Sequence, residues 1–198
     1  MTRALLIWTA LTFVLAVPLI AAANSPLLAW RDPVYIIAGF AGAVGMGLLL
    51  LQPLLAGRYL PGLSPLISRR WHRWVGIALV ATILIHVGGL WVTSPPDVVD
   101  ALLFASPTPF SAWGVIAMWA AFAAAFLGLY RQRMGLRFRV WRLGHTALAA
   151  LTIIGSVVHA MLIEGTMEIM TKTALCALVL LASARTLAKL RVWDVRRR

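Results

Sequence analysis

Six long apolar stretches, separated by short polar connections, constrain the fold of this chain more than any other feature. They run over residues 4–23, 34–56, 74–93, 110–130, 143–163 and 167–188. Each is close to the ~20 residues that a helix needs to cross about 30 Å of hydrocarbon. Because the backbone must satisfy its own hydrogen bonds within lipid, the stretches are predicted to be helices. The predicted fold class is therefore all-α, an integral membrane bundle of six transmembrane helices.

The composition agrees with a membrane protein. Hydrophobic residues make up 62% of the 198 residues and charged residues 12%, and the mean hydropathy is +0.90. A soluble domain is about a quarter charged. The length suits one domain over residues 1–198. Arg3 and the sequence Ala21-Ala22-Ala23 give the first stretch features of a cleavable signal peptide, but its length is that of a full span, which favours a retained helix.

The basic residues predict the orientation of the bundle. Of the 18 lysine and arginine residues, only Arg31 and Lys172 fall in the connections of one side, where five of the six acidic residues also lie. The excess of basic residues marks the cytoplasmic side, so both termini are predicted to be cytoplasmic in a multi-pass protein of the bacterial inner membrane. This pattern also accounts for the net charge of +12 without a nucleic-acid partner. The basic side comprises Arg3, Arg58, Arg69, Arg70, Arg73, Arg131, Arg133, Arg137, Arg139, Arg142, Arg185, Lys189, Arg191, Arg196, Arg197 and Arg198.

All four histidines of the chain form two pairs with the same spacing. His72 and His86 bracket the third stretch, and His145 and His159 bracket the fifth, each pair at i, i+14. Fourteen residues turn a helix through about 1400°, within roughly 40° of four full turns, and advance it about 21 Å. Each pair therefore shares one helix face, with one histidine towards each membrane surface.

Two helices that face each other with such pairs provide two levels of opposed imidazoles. His72 ends a cytoplasmic connection and His145 follows another, which predicts the pairs His72/His145 on the inner side and His86/His159 on the outer side. Opposed imidazoles suit bis-axial ligation of haem iron, and bundle cores commonly hold cofactors between facing helices. The prediction is two haem b groups. Leu79 and Thr152 would lie between them.

Residues near the histidines fit a haem site but also have simpler explanations. Gly76 and Gly155 would admit a planar cofactor, or only allow close helix packing. Arg73 and Arg142, with Arg69 and Arg70, lie beside the inner histidines and would pair with haem propionates. They also fit an ordinary positive-inside signal. The single cysteine, Cys176, is expected to be a small buried apolar residue.

The residues that carry these features resemble those of a known family. The stretch Trp71-His72-Arg73-Trp74-Val75-Gly76, followed by His86 and Trp91, is similar to the third helix of the ferric-reductase-like transmembrane domain. The stretch Trp141-Arg142-Leu143-Gly144-His145, followed by His159, is similar to the fifth. This family includes ferric-chelate reductases, NADPH oxidases and the membrane subunit of a bacterial methionine sulfoxide reductase system.

The resemblance implies electron transfer from a cytoplasmic donor through an inner and an outer haem to an acceptor outside, which the sequence does not identify. The chain has no G-x-G-x-x-G motif after a strand. A flavin is therefore expected only on a partner or at the cytoplasmic face, and the chain is expected to act as the haem-bearing subunit of an oxidoreductase. A separate flavoprotein is the expected donor.

Two other functions remain open at this stage. A quinol-linked cytochrome b subunit would use the same haems with a membrane quinol as donor. A haem-free scaffold or assembly protein would use the histidines for hydrogen bonds between helices. A small-molecule transporter is disfavoured because no paired, broken helices appear in the two halves.

Overall fold

The computed structural model describes residues 2–190, and this part of the chain forms seven α-helices and no β-strand. All of them except α4 are long and apolar enough to cross a membrane. The prediction of an all-α bundle with six candidate spans is therefore confirmed. Arg191, Arg196, Arg197 and Arg198, which were assigned to the basic side, lie outside the described residues. The helices are α1 (Thr2–Ala23), α2 (Pro33–Ala56), α3 (Pro65–Thr93), α4 (Pro95–Leu102), α5 (Pro109–Leu129), α6 (Phe138–Leu162) and α7 (Ile169–Leu190).

Helix α3 begins well before the apolar stretch that predicted it, at Pro65 instead of residue 74. Ser64 caps the helix by accepting a hydrogen bond from the backbone N–H of Ile67, and proline is favoured at the first helical position. His72 therefore lies inside α3, and its placement at the end of a connection was wrong. Hydropathy marks only the part of a helix that lies in hydrocarbon. The backbone of α3 is already helical in the arginine-rich segment that precedes its apolar stretch. Helix α6 likewise begins at Phe138 instead of residue 143.

The connection after α3 contains a short helix that was not predicted. Helix α4 follows Ser94 directly, and Ser94 Oγ donates a hydrogen bond to the carboxylate of Asp97 at 2.5 Å. Two prolines at its start indicated a helix break, yet proline is tolerated in a first turn, where N–H groups lack helical acceptors. Val98 of α4 is buried, so this helix covers part of the end of the bundle.

Two antiparallel hairpins and one further helix form the core of the bundle. Helix α2 packs along α3, α5 packs along α6, and α7 contacts both α2 and α6. Helix α1 lies at the periphery against α2 and α7, with Leu5, Leu6 and Phe13 exposed as expected of a lipid-facing surface. The buried centre consists of Met46, Leu49, Leu50, Leu79, Val157, Ala160, Leu175, Cys176 and Val179.

Candidate functional site

The four histidines meet in the two pairs that their spacing predicts. The ring centroids of His72 and His145 are 6.4 Å apart, and those of His86 and His159 are 6.3 Å apart. The ring planes cross at 69° in the first pair and at 82° in the second. Helices α3 and α6 thus present opposed imidazoles at two levels.

The centroid separation within each pair is compatible with one metal ion between the two imidazoles. A metal–imidazole nitrogen bond is about 2 Å long, and the ring centre lies about 1.1 Å beyond that nitrogen, which puts two collinear ring centres about 6.3 Å apart. Direct hydrogen bonding between the rings would need the nitrogens closer, at about 3 Å. The separations are therefore wide enough for one metal ion between the rings, and they also lie within the range of about 4.5–7 Å of an edge-to-face contact between two rings.

Each histidine is held by a backbone carbonyl of a neighbouring helix. In α3, Nδ1 of His72 lies 3.2 Å from the carbonyl oxygen of Gln52, and Nδ1 of His86 lies 2.7 Å from that of Ala38. In α6 the matching contacts are His145 with Ala124 at 3.1 Å and His159 with Phe110 at 2.8 Å.

These contacts assign the tautomer of the neutral rings. A carbonyl oxygen only accepts, so Nδ1 carries the hydrogen and donates it. The other nitrogen, Nε2, then keeps its lone pair for a metal. Donation from the second ring nitrogen to a carbonyl is the usual way in which proteins orient a metal-ligating histidine.

The carbonyl acceptors repeat the histidine spacing. Ala38 and Gln52 in α2 are fourteen residues apart, as are Phe110 and Ala124 in α5. The α2–α3 and α5–α6 hairpins therefore support their histidines in the same way. In each hairpin, the first helix provides one carbonyl for each of the two histidines on the second helix. This relation was not predicted, because every residue type provides a carbonyl and the sequence does not mark which ones accept.

Small residues four positions after the acceptors make room for the rings. A Cβ at Gly42 would lie 3.1 Å from Nδ1 of His86, and one at Gly114 would lie 2.7 Å from Nδ1 of His159. A Cβ at Gly128 would lie 3.8 Å from Cε1 of His145. The predicted glycines act differently: Gly155 packs against Ala117 of α5, so close helix packing explains it.

Gln52 is a site residue that sequence reasoning missed. Its carbonyl accepts from His72, and its side-chain Nε2 donates to the backbone carbonyl of His72 at 3.3 Å. The same Nε2 would lie 3.3 Å from a Cβ at Gly76, so that glycine leaves space for the amide. An amide within an apolar span was the available signal, because polar side chains in membrane helices commonly bond to a neighbouring helix.

Aromatic and basic side chains lie beside the His72/His145 pair. Trp141 stacks on His145 with ring centroids 5.6 Å apart, and its indole N–H donates to the carbonyl of Leu127. The guanidinium of Arg131 lies 4.6 Å from the centre of the Trp141 ring. Of the two predicted arginines, Arg73 is exposed and Arg142 is half-buried near the ring of Phe138.

A cavity of about 660 Å³ contains the His86/His159 pair. This volume is within the range of about 300–1,000 Å³ that is typical of small-molecule and cofactor sites. Leu79 and Thr152, predicted to lie between the two levels, both line it and are buried. A cluster of hydroxyls contributes polar lining to this cavity, and in it Thr108 Oγ1 and Ser111 Oγ are 2.6 Å apart.

The fold and the site define a multi-pass membrane bundle with two facing histidine pairs. The chain belongs to the ferric reductase-like transmembrane component family, whose model matches residues 38–156, more than half of its length. The matched region contains His72, His86 and His145 and ends shortly before His159. No curated protein and no solved structure shows significant similarity to the chain. Membership implies membrane electron transfer, and domains of this family generally bind haem and work with a flavin redox partner.

Proposed function

We propose that this protein is a di-haem b electron-transfer subunit, with His72 and His145 as ligands of an inner haem and His86 and His159 as ligands of an outer haem. The observation that carries the proposal is the geometry of the pairs. Both have centroid separations suited to one intervening iron, and all four rings direct Nδ1 to a carbonyl. Haem iron held in this way supplies one-electron redox chemistry.

In this proposal, backbone carbonyls and side chains of the protein hold the histidines and the haems in position. The four carbonyls would fix the ring orientations, and Leu79 and Thr152 line the space between the levels. The levels are about 21 Å apart along α3 and α6, so electrons cross most of the hydrocarbon by passing from one haem to the next. On the inner side, we propose that Arg73 and Arg142 bind the propionates of the inner haem.

The first experiment is a reduced-minus-oxidised optical spectrum with a pyridine haemochrome titre on detergent-purified protein. We expect a b-type spectrum and two haems per chain. A single haem would contradict the two-level proposal. If the protein is expressed with an adequate haem supply and still contains no haem, the electron-transfer proposal is wrong and the haem-free scaffold remains as the interpretation.

The proposed donor is a separate flavoprotein that docks on the basic inner face, where complementary charge steers association with an acidic partner. Reduction of both haems by a flavoprotein, and not by a quinol alone, is the expected result in liposomes. Reduction by a quinol without any flavoprotein would instead support the quinol-linked alternative.

We propose that both termini are cytoplasmic and that residues 1–198 act as one unit in a bacterial inner membrane, on the basis of the charge asymmetry. Asp100→Cys in α4 should react with a membrane-impermeant maleimide in intact spheroplasts, whereas Gln132→Cys should react only after permeabilisation. The unmodified protein is the control, because Cys176 is only 3% exposed. If Gln132→Cys reacts in intact spheroplasts and Asp100→Cys reacts only after permeabilisation, the orientation is the opposite of the one proposed.

A further inference from the structure

Lys172 is a buried cation at the outer end of the bundle. It lies in the first turn of α7 and is only 5% exposed, and its ammonium donates to the carbonyl oxygen of Ile163 at 2.8 Å. An ammonium has three donors, and burying its charge is costly unless an anion or further acceptors compensate for it. The single carbonyl bond leaves most of that requirement to another group.

The neighbouring acid does not provide the missing anion. The carboxylate of Glu168 caps α7 by accepting the backbone N–H groups of Met170 and Thr171 at 2.7 and 2.8 Å. The bonds from Thr171 and then Met170 hold the pKa of Glu168 below its ordinary value, and the charge of Lys172 contributes least. Within residues 2–190, no carboxylate forms a salt bridge with Lys172.

Lys172 lines the outer cavity together with His86 and His159, and it also lines a smaller pocket that contains Glu164 and Glu168. Ile163, whose carbonyl holds the ammonium, follows His159 by one helical turn, and its backbone N–H bonds to the carbonyl of His159 at 3.2 Å. Arg31 also lines this cavity. The two basic residues that the sequence assigns to the outer side are thus both at the cavity, which a rule of positive charge inside does not explain.

We infer that Lys172, assisted by Arg31, binds the carboxylate groups of the ligand in the outer cavity, which are the propionates of the outer haem. This inference rests on the proposed function. A charge-assisted hydrogen bond between ammonium and carboxylate is stronger than a neutral one, and removal from water strengthens it further. Lys172 is then an anchoring residue that holds a carboxylate of the outer haem, while the histidines hold its iron.

The test compares haem b with its dimethyl ester, in which both carboxylates are blocked. Each is reconstituted into the stripped full-length protein, and its release to a haem-scavenging globin is followed at the Soret band. His159→Ala identifies the outer phase of release. In the unmodified protein, we expect the ester to leave the outer level about tenfold faster than haem, since one charged hydrogen bond is worth about that factor.

Lys172→Met should remove this discrimination, so that haem and ester leave the outer level at similar rates, whereas Lys172→Arg should keep most of it. The matched control is Lys189→Met, because Lys189 lies in the same helix and makes the same kind of bond, to the carbonyl of Gly57 at 2.6 Å, without lining the cavity. It should behave as the unmodified protein.

The possible failures are distinct. If the unmodified protein holds a haem at the outer level but releases haem and ester equally fast, or if Lys172→Met keeps the full discrimination, the role of Lys172 is wrong and the di-haem function stands. Absence of any haem at the outer level would overturn both. The rates in the ester comparison are measured on the unmodified chain, and His159→Ala serves only to assign the outer phase of release.

Discussion

Replacing His159 by alanine is expected to lower the haem content from two per chain to one and to abolish the outer haem's contribution to a redox titration. His86→Ala should remove the same haem, because in the proposed site one iron takes a ligand from each of α3 and α6, whose His86 and His159 rings have centroids 6.3 Å apart. The double variant should lose no more than either single variant, since residues that share one ligand are not independent. His72→Ala or His145→Ala should remove the other haem.

The measurement is a pyridine haemochrome titre with a potentiometric titration on each variant. Thr152→Val is the matched control: Thr152 lines the same cavity, but its hydroxyl bonds to the carbonyl of Leu148 in its own helix, and two haems should remain. Additive losses in the double variant, or different haems lost from His86→Ala and His159→Ala, would contradict the pairing across α3 and α6.

The pairing of the histidines was accessible from sequence because it depends only on helix geometry. Fourteen residues return a side chain to nearly the same face whatever surrounds it, and the alternation of spans decides which histidines share a level. The opposed rings of His72 and His145 needed no further information. The number of spans was accessible for a similar reason. The thickness of the hydrocarbon sets the number of apolar residues that a span needs, and stretches of that length can be counted in the sequence.

What the sequence did not indicate involves backbone groups and boundaries. The carbonyls of Ala38 and Phe110 orient two histidines, but a carbonyl has no sequence signature. Helix α4 was missed because its length is far below a span and its prolines suggested a break. The start of α3 was misplaced because arginines end an apolar stretch without ending a helix, and only the cap at Ser64 marked the true boundary.

The glycines next to the histidines provide the second prediction with a large effect. Gly114 and Gly128 both lie in α5, each four residues after a carbonyl that holds a histidine. A Cβ at Gly114 would lie 2.7 Å from Nδ1 and 2.9 Å from Cε1 of His159, closer than side chains approach in real structures. At Gly128 the nearest atom, Cε1 of His145, would be 3.8 Å away, which is ordinary contact.

Gly114→Ala should therefore displace the His159 ring from its carbonyl and its metal-binding position, whereas Gly128→Ala should leave His145 in place. Overpacking of this kind costs about 1–3 kcal/mol, or roughly tenfold to a hundredfold in retention of the outer haem. Alanine favours a helix over glycine by about 1 kcal/mol at both positions, so the comparison between the two variants cancels that gain.

Haem release at the Soret band measures both variants, with Gly42→Ala as an intermediate case because its Cβ would lie 3.1 Å from His86. The expected order of outer-haem loss is Gly114→Ala, then Gly42→Ala, with no loss from Gly128→Ala at the inner level. If Gly114→Ala causes no more haem loss than Gly128→Ala, the ring of His159 moves without cost, and its bond to the carbonyl of Phe110 does not fix it. The predicted order would instead make the space beside each ring, and not the histidine alone, a requirement for ligation.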